Sequence, residues 1–248
     1  MKKFGLIGRR LGHSWSQRWF EELFTSLGLA DYSYRLYELP SVEGLKEWAQ
    51  RERLLGFNVT VPYKQAVIPQ LDALNADAEA IGAVNCVSVE EGRLVGHNTD
   101  APAFRQTLES HTLPKQAYIL GTGGAARAVA YALQQLDIPF SFVSREPNLH
   151  SGAISYDQLY TLSPTPSTLI INATPVGMYP DIDNTPLNLS AFHTSLASFL
   201  FYDLIYNPSP TLLMRQAAER GAHVKDGLEM LQRQANLSWE FFRACTHE

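Results

Sequence analysis

Two side chains that could transfer protons, Lys64 and Asp100, each follow polar residues at the predicted end of a strand. Lys64 closes the stretch Asn58-Val59-Thr60-Val61-Pro62-Tyr63-Lys64, in which strand alternation sends Asn58 and Thr60 to the same side. An ammonium group hydrogen-bonded to a developing alkoxide can stabilise it and donate a proton, as the reduction of a ketone requires. Each residue also has a structural interpretation, because Lys64 suits the exposed start of a helix and Asp100 suits a helix cap.

Further polar groups stand near the predicted ends of other strands. Asn85 closes the stretch Gly82-Ala83-Val84-Asn85, and Asn98-Thr99-Asp100 supplies another amide beside the carboxylate. Ser14 and Ser16 place two hydroxyls at the start of a helix, where the dipole favours an anionic group such as a ligand carboxylate. The alternatives are that the amides are turn residues and that Ser14 is an ordinary N-cap. His13 is interpreted as a structural or solvent-facing histidine.

A glycine-rich turn, Gly121-Thr122-Gly123-Gly124-Ala125-Ala126, follows the apolar run from Ala117 to Leu120 and opens a helical pattern. Glycines here let the backbone turn tightly and approach a pyrophosphate, whose charge the N–H groups of the helix N-terminus can neutralise. The turn therefore predicts a dinucleotide site near the middle of the chain, with a substrate half before it. A plain strand-to-helix connection is the alternative.

The elements that would position these groups alternate between strands and helices in the first part of the chain. Apolar periodicity predicts strands at Phe4–Ile7, Ser33–Glu38 and Gly56–Val61, and helices at Trp15–Leu27 and Val42–Arg51. Such a run predicts a parallel sheet, which collects ligands in the loops after its strands, here after Ile7, Glu38 and Thr60. A hairpin is expected to finish this sheet, with strands at Val84–Val89 and Arg93–Gly96.

The second part of the chain shows the same alternation. A connecting helix is predicted from Ala101 to about Leu113, and strands are predicted at Gln116–Gly121, Phe140–Ser144, Leu169–Asn172 and Phe199–Leu204. Proline and serine crowding predicts loops at Ser163–Ser167 and Tyr179–Pro186. The last helix, Leu228–Ala244, presents an apolar face made by Leu228, Leu231, Ala235, Trp239 and Phe242. Periodicity does not indicate where this face packs.

Composition excludes several classes of partner. Of 248 residues, 45% are apolar and 18% charged, with 20 basic against 25 acidic side chains and no basic block, so we expect a small-molecule ligand and neither nucleic acid nor membrane. Cys86 and Cys245 form no C-x-x-C pair, and the 7 histidines show no metal-ligand spacing, which favours a reducing compartment and no metal. The apolar run within Met1 to Gly8 is too short for a secretion signal or a membrane span. We expect a cytoplasmic protein with two domains.

A series of segments resembles the shikimate dehydrogenases in order and spacing over nearly the whole chain. These segments are Ser14 with Ser16, Asn58–Lys64, Gly82–Asn85, Asn98–Asp100, Gly121–Ala125, Asn172–Met178 and Asp226–Leu231. The resemblance implies an oxidoreductase for the reversible NADPH-dependent reduction of 3-dehydroshikimate to shikimate, in chorismate and aromatic amino acid biosynthesis. It also implies two α/β domains with a cleft between them. Residues 1–100 plus 227–248 would form a mainly parallel substrate domain, and residues 101–226 a Rossmann-type dinucleotide-binding domain.

Carried over residue by residue, the resemblance implies that Lys64 and Asp100 are the catalytic pair. The expected substrate-binding residues are Ser14 and Ser16 at the carboxylate, Asn58, Thr60, Asn85 and Gln234 at the hydroxyls, and Tyr206 in the cleft wall. The expected cofactor-binding residues are Gly121, Gly123, Gly124, Ala125, Ser144, Arg145, Thr174, Val176, Met178 and Gly227. The alternatives are that Tyr206 is an aromatic at a strand end and that Val176 and Met178 are packing residues.

The expected cofactor depends on the residues after the second strand of the dinucleotide unit. NADP enzymes carry a basic residue there and NAD enzymes an acidic one. The segment Val143-Ser144-Arg145-Glu146 offers Arg145, but lacks the Asn-Arg-Thr and the second basic residue that are usual in the family. We therefore expect NADP, with NAD as the alternative.

Three functional hypotheses remain from the sequence. They are a shikimate dehydrogenase, an NAD-using relative that acts on quinate as well, and a non-catalytic module that senses nucleotide and shikimate. Lys64 and Asp100 together favour catalysis over sensing. The sequence does not choose between a monomer and a homodimer.

Overall fold

The structure, a computed structural model, describes residues 1–12, 14–109, 113–147, 152–161 and 167–246. The chain divides into two compact units, one formed by Met1–Thr99 with Gln234–Glu248 and the other by Asp100–Arg233. The second boundary falls inside the last helix, which runs from Leu228 to Ala244 as predicted. Each unit is built on a sheet of its own.

The described part of the first unit contains a six-stranded sheet. Its strands are β1 (Lys2–Gly8), β2 (Tyr32–Glu38), β3 (Leu54–Val59), β4 (Ala73–Leu74), β5 (Cys86–Glu90) and β6 (Arg93–His97), in the order β2-β1-β3-β5-β6-β4. Its helices are α1 (Trp15–Ser26), α2 (Leu45–Glu52), α3 (Tyr63–Ala66) and α4 (Ala76–Ile81). Strand β5 is antiparallel to β3 and β6, while β1–β2, β1–β3 and β4–β6 are parallel pairs. The predicted mainly parallel sheet is confirmed.

The sheet of the first unit is buried on both faces. Phe4 on one face stacks on Phe242 of the last helix, with ring centroids 5.0 Å apart. A Cβ at Gly56 would lie 2.5 Å from the Phe242 ring, so this glycine lets the helix approach β3. Ile7 points to the opposite face, where it packs with Leu45 and other residues of a second cluster. The last helix therefore docks on the first sheet, which periodicity alone did not indicate.

The predicted apolar face of the last helix needs one correction. Ala235, Trp239 and Phe242 are buried, but Leu228 is 37% exposed and does not belong to the buried face. Leu228 stands in the first turn of the helix, which belongs to the second compact unit. A stripe that is continuous in sequence is thus not buried along its whole length.

The second unit contains a sheet of five parallel strands among its described residues. The strands are β7 (Gln116–Leu120), β8 (Phe140–Val143), β9 (Thr168–Asn172), β10 (Phe199–Asp203) and β11 (His223–Lys225), in the order β11-β10-β9-β7-β8. The helices are α5 (Asp100–Leu108), α6 (Gly124–Gln135), α7 (Tyr156–Thr161), α8 (Leu212–Glu219) and the beginning of α9 (Leu228–Ala244). This arrangement confirms the predicted α/β class with a Rossmann-type second unit.

Several predicted boundaries shift. Thr60 and Val61 lie beyond the end of β3 instead of inside it, and Asn85 precedes β5. Helix α5 ends at Leu108, short of the predicted Leu113, and 110–112 lie outside the described residues, as do His13 and most of the predicted loop Ser163–Ser167. Within the described ranges, no helix has the length and apolarity needed to cross a bilayer.

Candidate functional site

The loops that follow the first three parallel strands are tied together at one edge of the first sheet. Thr60 N–H donates to the Ile7 carbonyl at 3.0 Å, and Leu39 N–H donates to the Gly8 carbonyl at 2.9 Å. A Cβ at Gly8 would lie 2.8 Å from the Thr60 methyl carbon, so this glycine lets the loop after β1 approach the end of β3. The carboxyl edge therefore gathers the loops that the parallel order predicts.

Asn58 is the centre of a buried network at this edge. Its Oδ1 accepts from the Tyr34 hydroxyl at 2.8 Å, and its Nδ2 donates to Ser238 Oγ at 2.8 Å and to the Asn85 carbonyl at 3.2 Å. Burial and the nearby Cys86 raise the pKa of Tyr34 well above its usual value, so the phenol stays a neutral donor. Asn58 is 6% exposed and commits both amide hydrogens to protein partners. It thereby fixes the positions of Asn85 and α9 against β3.

Asn85 extends this network to the end of β6. Its Oδ1 accepts from Thr99 N–H at 2.7 Å, and its Nδ2 donates to Thr99 Oγ1 at 2.8 Å and to Gln234 Oε1 at 3.5 Å. The hydroxyls of Thr99 and Ser238 are 3.2 Å apart, which closes the network through α9. Three predicted substrate-binding residues, Asn58, Asn85 and Gln234, are thus brought together.

Sequence reasoning missed three members of this network, Tyr34, Thr99 and Ser238. Ser238 carried a usable signal, because it stands between the buried residues Ala235 and Trp239 on a helix face that is otherwise apolar. A polar residue in such a position is expected to have a buried hydrogen-bond partner. Tyr34 carried no signal, since a buried aromatic on a strand is indistinguishable from ordinary core.

Ser14 is the N-cap of α1, which is the structural alternative considered for it. Its Oγ accepts from Ser16 N–H at 3.2 Å. A hydroxyl that accepts in this way still has its own hydrogen to donate, and both serines are half-buried. The first turn of α1 contains no acidic residue, so no carboxylate of that turn offsets the positive end of the dipole. Capping and anion binding are therefore compatible at Ser14.

The two predicted proton-transfer residues belong to different compact units. Lys64 is half-buried in α3, and its carbonyl accepts from Val84 N–H at 2.7 Å, which ties it to the segment that carries Asn85. Asp100 is 5% exposed and is the first residue of α5, where the helix dipole favours a carboxylate. Their pairing stays a prediction.

The glycine-rich turn joins β7 to α6 in the second unit. Gly121 has φ +97°, a conformation that L side chains rarely adopt. Gly123 is the N-cap of α6 and forms no side-chain cap, and a Cβ at this residue would find no atom within 4 Å. The first turn of the helix is formed by Gly124, Ala125 and Ala126. Open space beside an uncapped helix N-terminus fits a dinucleotide pyrophosphate.

The loop after β9 is held by the side chain of Asn172. Its Oδ1 accepts from the Thr174 hydroxyl at 2.7 Å and from Thr174 N–H at 3.0 Å, and its Nδ2 donates to the Val176 carbonyl at 3.3 Å. Val176 N–H donates to the Thr174 hydroxyl at 3.2 Å. Val176 is 37% exposed and Met178 is 44% exposed, so neither side chain is part of the buried core.

Asp203, at the end of β10, is a fully buried carboxylate that sequence reasoning missed. Its Oδ1 accepts from Asn172 Nδ2 at 3.0 Å and from Ile205 N–H at 3.1 Å, and its Oδ2 accepts from the Thr211 hydroxyl at 2.7 Å. Burial raises the pKa of Asp203 to about 6, and the hydrogen bonds from Thr211, Ile205 and Asn172 oppose this shift. The carboxylate joins the loop after β9 to the start of α8.

Tyr206 and Gly227 belong to segments that pack against each other after β10. Tyr206 is half-buried, and the preceding residue, Ile205, accepts from Gly227 N–H at 3.1 Å. A Cβ at Gly227 would overlap the Leu204 carbonyl, so only glycine permits this approach. Gly227 therefore supports the backbone next to Tyr206.

Ser144 and Arg145 follow β8, where a dinucleotide-binding unit meets the ribose. Ser144 N–H donates to the Ile154 carbonyl at 3.0 Å, and its hydroxyl accepts from Glu146 N–H at 3.1 Å. Arg145 is exposed. Burial raises the pKa of Tyr156, and the charge of Arg145 partly opposes that shift, as expected of a guanidinium near the phenol. Arg145 therefore lies near Tyr156 with its side chain exposed to solvent, and its contact with a phosphate stays a prediction.

The fold and these residues define a class of protein, in which one α/β unit carries a polar network at its sheet edge and a second carries a dinucleotide-binding turn. Residues 6–87 match the family model described as the shikimate dehydrogenase substrate binding domain. A shikimate dehydrogenase (NADP(+)) of Shouchella clausii is 36% identical over 256 residues, which cover 96% of this chain and 92% of the relative. The chain belongs to the shikimate dehydrogenase family.

Solved structures resemble the chain over nearly its full length. Shikimate dehydrogenase 1 of Peptoclostridium difficile has a TM-score of 0.86 at 33% identity, covering 98% of this chain and 92% of that structure. The shikimate 5-dehydrogenase of Thermus thermophilus, in complex with NADP(H) and shikimate, has a TM-score of 0.83 at 33% identity, with coverage of 98% and 93%.

Asp203 predicts a pH dependence of stability. Its pKa is raised from 3.8 to about 6 in the folded protein, so its contribution to stability is full below about pH 3.8 and is lost as the pH rises through 6. As the pH rises from about 3.8 to about 6, the free energy of unfolding of the wild type should fall by on the order of 3 kcal/mol relative to that of Asp203→Asn. The reason is that the amide has no proton to lose. Urea unfolding of both proteins across this range measures the difference. A difference that does not change with pH would contradict the expectation.

Proposed function

We propose that this protein catalyses the reversible reduction of 3-dehydroshikimate to shikimate with NADPH. The observation that carries the proposal is the closed network of Asn58, Asn85 and Gln234 at the carboxyl edge of the first sheet. The backbone of Lys64, the proposed proton donor, accepts a hydrogen bond from Val84 N–H in the segment just before Asn85, which supports a location of Lys64 near this network. Membership of the family and the open glycine-rich turn support a nicotinamide cofactor.

The polar residues of the first unit suit a small hydroxylated acid. Ser14 and Ser16 would bind the carboxylate at the start of α1, since Ser14 keeps a hydrogen to donate. Thr60, Asn85 and Gln234 would meet the hydroxyls. Asn58 commits both amide hydrogens internally, so its direct contribution would be limited to the second lone pair of Oδ1. An analogue lacking a matched hydroxyl should lose about 1–3 kcal/mol of binding.

The residues of the second unit would hold the cofactor, which supplies the hydride when bound. The turn of Gly121, Gly123, Gly124 and Ala125 would bind the pyrophosphate through backbone N–H groups. Arg145, with Ser144 beside it, would meet the 2′-phosphate, and the exposed Val176 and Met178, with Thr174, would face the nicotinamide. Gly227 would contact the cofactor, and Tyr206 would contact the substrate.

Lys64 would donate the proton in the reduction direction. Its ammonium would hydrogen-bond the carbonyl oxygen, stabilise the alkoxide as it develops and then protonate it. Asp100 would accept a hydrogen bond from a substrate hydroxyl and so help to orient the substrate for the transfer. In the reverse direction the same pair would remove a proton from the alcohol.

The proposed division of labour gives substrate binding to residues 1–100 plus 227–248 and dinucleotide binding to residues 101–226. The observed units divide instead at Asp100 and Gln234, so the first turns of α9 fall with the second unit. We also propose a cytoplasmic protein, which the free thiols of Cys86 and Cys245 support. A monomer or a homodimer remains the expectation.

The proposal is tested by following reduced cofactor spectrophotometrically with shikimate or quinate, each with NADP⁺ or NAD⁺. We expect the largest kcat/KM for shikimate with NADP⁺. Comparable turnover of quinate with NAD⁺ would favour the quinate-acting alternative. Binding of shikimate and nucleotide without turnover in any combination would contradict an enzyme and favour a sensing module.

Lys64→Ala should lower kcat by roughly 10²–10⁴-fold with little change in the Kd for shikimate, because acid–base catalysis is lost while the hydroxyl contacts remain. Steady-state kinetics and calorimetry measure the two quantities. Lys46→Ala is the matched control, since Lys46 pairs with Asp72 at the surface at 2.6 Å, and its kcat should stay at the wild-type value. An unchanged kcat for Lys64→Ala would refute the catalytic role.

Arg145→Ala should raise the KM for NADPH far more than the KM for NADH, because only NADPH carries the 2′-phosphate. Initial rates with each cofactor measure the ratio. Arg215→Ala is the control, because Arg215 is exposed on α8 and donates to the Pro210 carbonyl at 3.1 Å. Equal effects of Arg145→Ala on both cofactors would remove Arg145 from the phosphate site.

A further inference from the structure

We propose that Asp203 is a positioning residue that holds the loop Asn172–Val176 in the shape that receives the cofactor. The inference rests on the proposed function, because it assigns a task to a group that touches neither substrate nor cofactor. Asp203 is fully buried and accepts from Asn172, Ile205 and Thr211. Burying a carboxylate costs stability, so a group kept in this position is expected to do something that an apolar residue could not.

The first step is that Asp203 sets the orientation of the Asn172 amide. An ionised carboxylate accepts hydrogen bonds and has none to donate, so the Asn172 NH₂ group must face Asp203. The Asn172 oxygen is then turned towards Thr174, where it accepts from both the hydroxyl and the backbone N–H. The opposite orientation would set oxygen against oxygen at Asp203 and nitrogen against two donors at Thr174.

The second step carries this orientation to the loop. The second hydrogen of the Asn172 amide goes to the Val176 carbonyl, and the Thr174 hydroxyl accepts from Val176 N–H. The loop is therefore held at Thr174 and Val176, two of the predicted cofactor-binding residues. A Cβ at Gly121 would lie 3.1 Å from the Thr174 methyl carbon, so the loop also abuts the glycine-rich turn.

The third step separates positioning from general stabilisation. The other carboxylate oxygen of Asp203 binds Thr211, which is the N-cap of α8 and accepts from Met214 N–H at 3.3 Å. Within the described part of the chain, the Thr211 hydroxyl bonds to Asp203 and Met214 and not to the loop after β9. One carboxylate thus has an oxygen that faces the cofactor loop and another that faces a helix cap, and the two can be perturbed separately.

The test compares Asp203→Asn, Asp203→Ala, Asn172→Ala and the control Thr211→Val. Fluorescence titration gives the Kd for NADPH, and urea unfolding gives stability for each protein. We expect Asp203→Ala and Asn172→Ala each to raise the Kd for NADPH by about tenfold, equivalent to ~1.4 kcal/mol. A double variant that combines these two substitutions should bind NADPH no more weakly than either single variant. Asp203→Asn should restore near-wild-type binding, because its Oδ1 still accepts from Asn172 and its NH₂ can donate to Thr211.

Thr211→Val should lower stability, because it removes a helix cap, and leave the Kd for NADPH within about twofold of the wild type. A Thr211→Val protein that binds NADPH as weakly as Asn172→Ala would overturn the inference, and so would wild-type binding by Asp203→Ala. If Asp203→Ala does not fold, the comparison of Asn172→Ala with Thr211→Val decides. A raised Kd for NADPH in Asn172→Ala alone supports the positioning role, and equally weak binding by both variants overturns it.

The same measurements separate this inference from the proposed function. A wild-type protein that binds NADPH but does not oxidise shikimate with NADP⁺ contradicts the proposed reaction and leaves the comparison of Kd values intact. A wild-type protein that does not bind NADPH overturns both. Wild-type turnover together with equal Kd values in all four variants overturns the positioning role alone.

Discussion

The structure depends on one constraint, which is that a buried amide side chain must have its hydrogens and its oxygen matched by protein partners. An unmatched buried polar group costs about 1–3 kcal/mol, and the full set of matches fixes an amide in one orientation. Asn58 meets the constraint in the first unit through Tyr34, Asn85 and Ser238. Asn172 meets it in the second unit through Asp203, Thr174 and Val176.

Both amides stand at the carboxyl ends of parallel strands, and this placement explains their effect on the loops. A strand end is rigid because the ladder holds it, whereas the loop that follows has no ladder. An amide at the end of the strand can extend that rigidity by binding the loop backbone, as Asn172 does at Thr174 and Val176. The backbone of that loop is then fixed by protein contacts alone, which is the condition for a preorganised binding site.

The sequence predicted the elements that show a periodic pattern within themselves. It did not predict features that depend on contacts between residues far apart in the chain. The long strands and α9 follow from apolar periodicity, whereas α3 with four residues and β4 with two are too short to show a period. Leu228 was misplaced because periodicity describes a helix face without saying how far its neighbour extends. The bond from Asn58 to Ser238 joins residues 180 positions apart, so no local pattern could reveal it.

Residue types and spacing singled out several candidate site residues and the resemblance gave them roles, whereas the residues that hold them in place follow only from the fold. Asp203 illustrates the difference, because an acidic residue at the end of a strand suggests exposure or catalysis when it is met in a sequence. The fold explains its burial, because Asn172, Ile205 and Thr211 donate three hydrogen bonds to its two carboxylate oxygens. Buried donors with no acceptor are themselves costly, so the hydrogen bonds from these three groups offset part of the cost of burying the carboxylate.

The segment after β8 offers a single cation, Arg145, for a cofactor phosphate. A 2′-phosphate carries close to two negative charges, and Arg145 is followed by Glu146 instead of a second cation. Both side chains are exposed, so salt at physiological strength screens charges beyond about 8 Å and weakens the closer ones. The guanidinium can still select the phosphate through paired hydrogen bonds, which depend on geometry more than on net charge. If Arg145 has the proposed role, discrimination between the two nicotinamide cofactors depends on the orientation of its side chain.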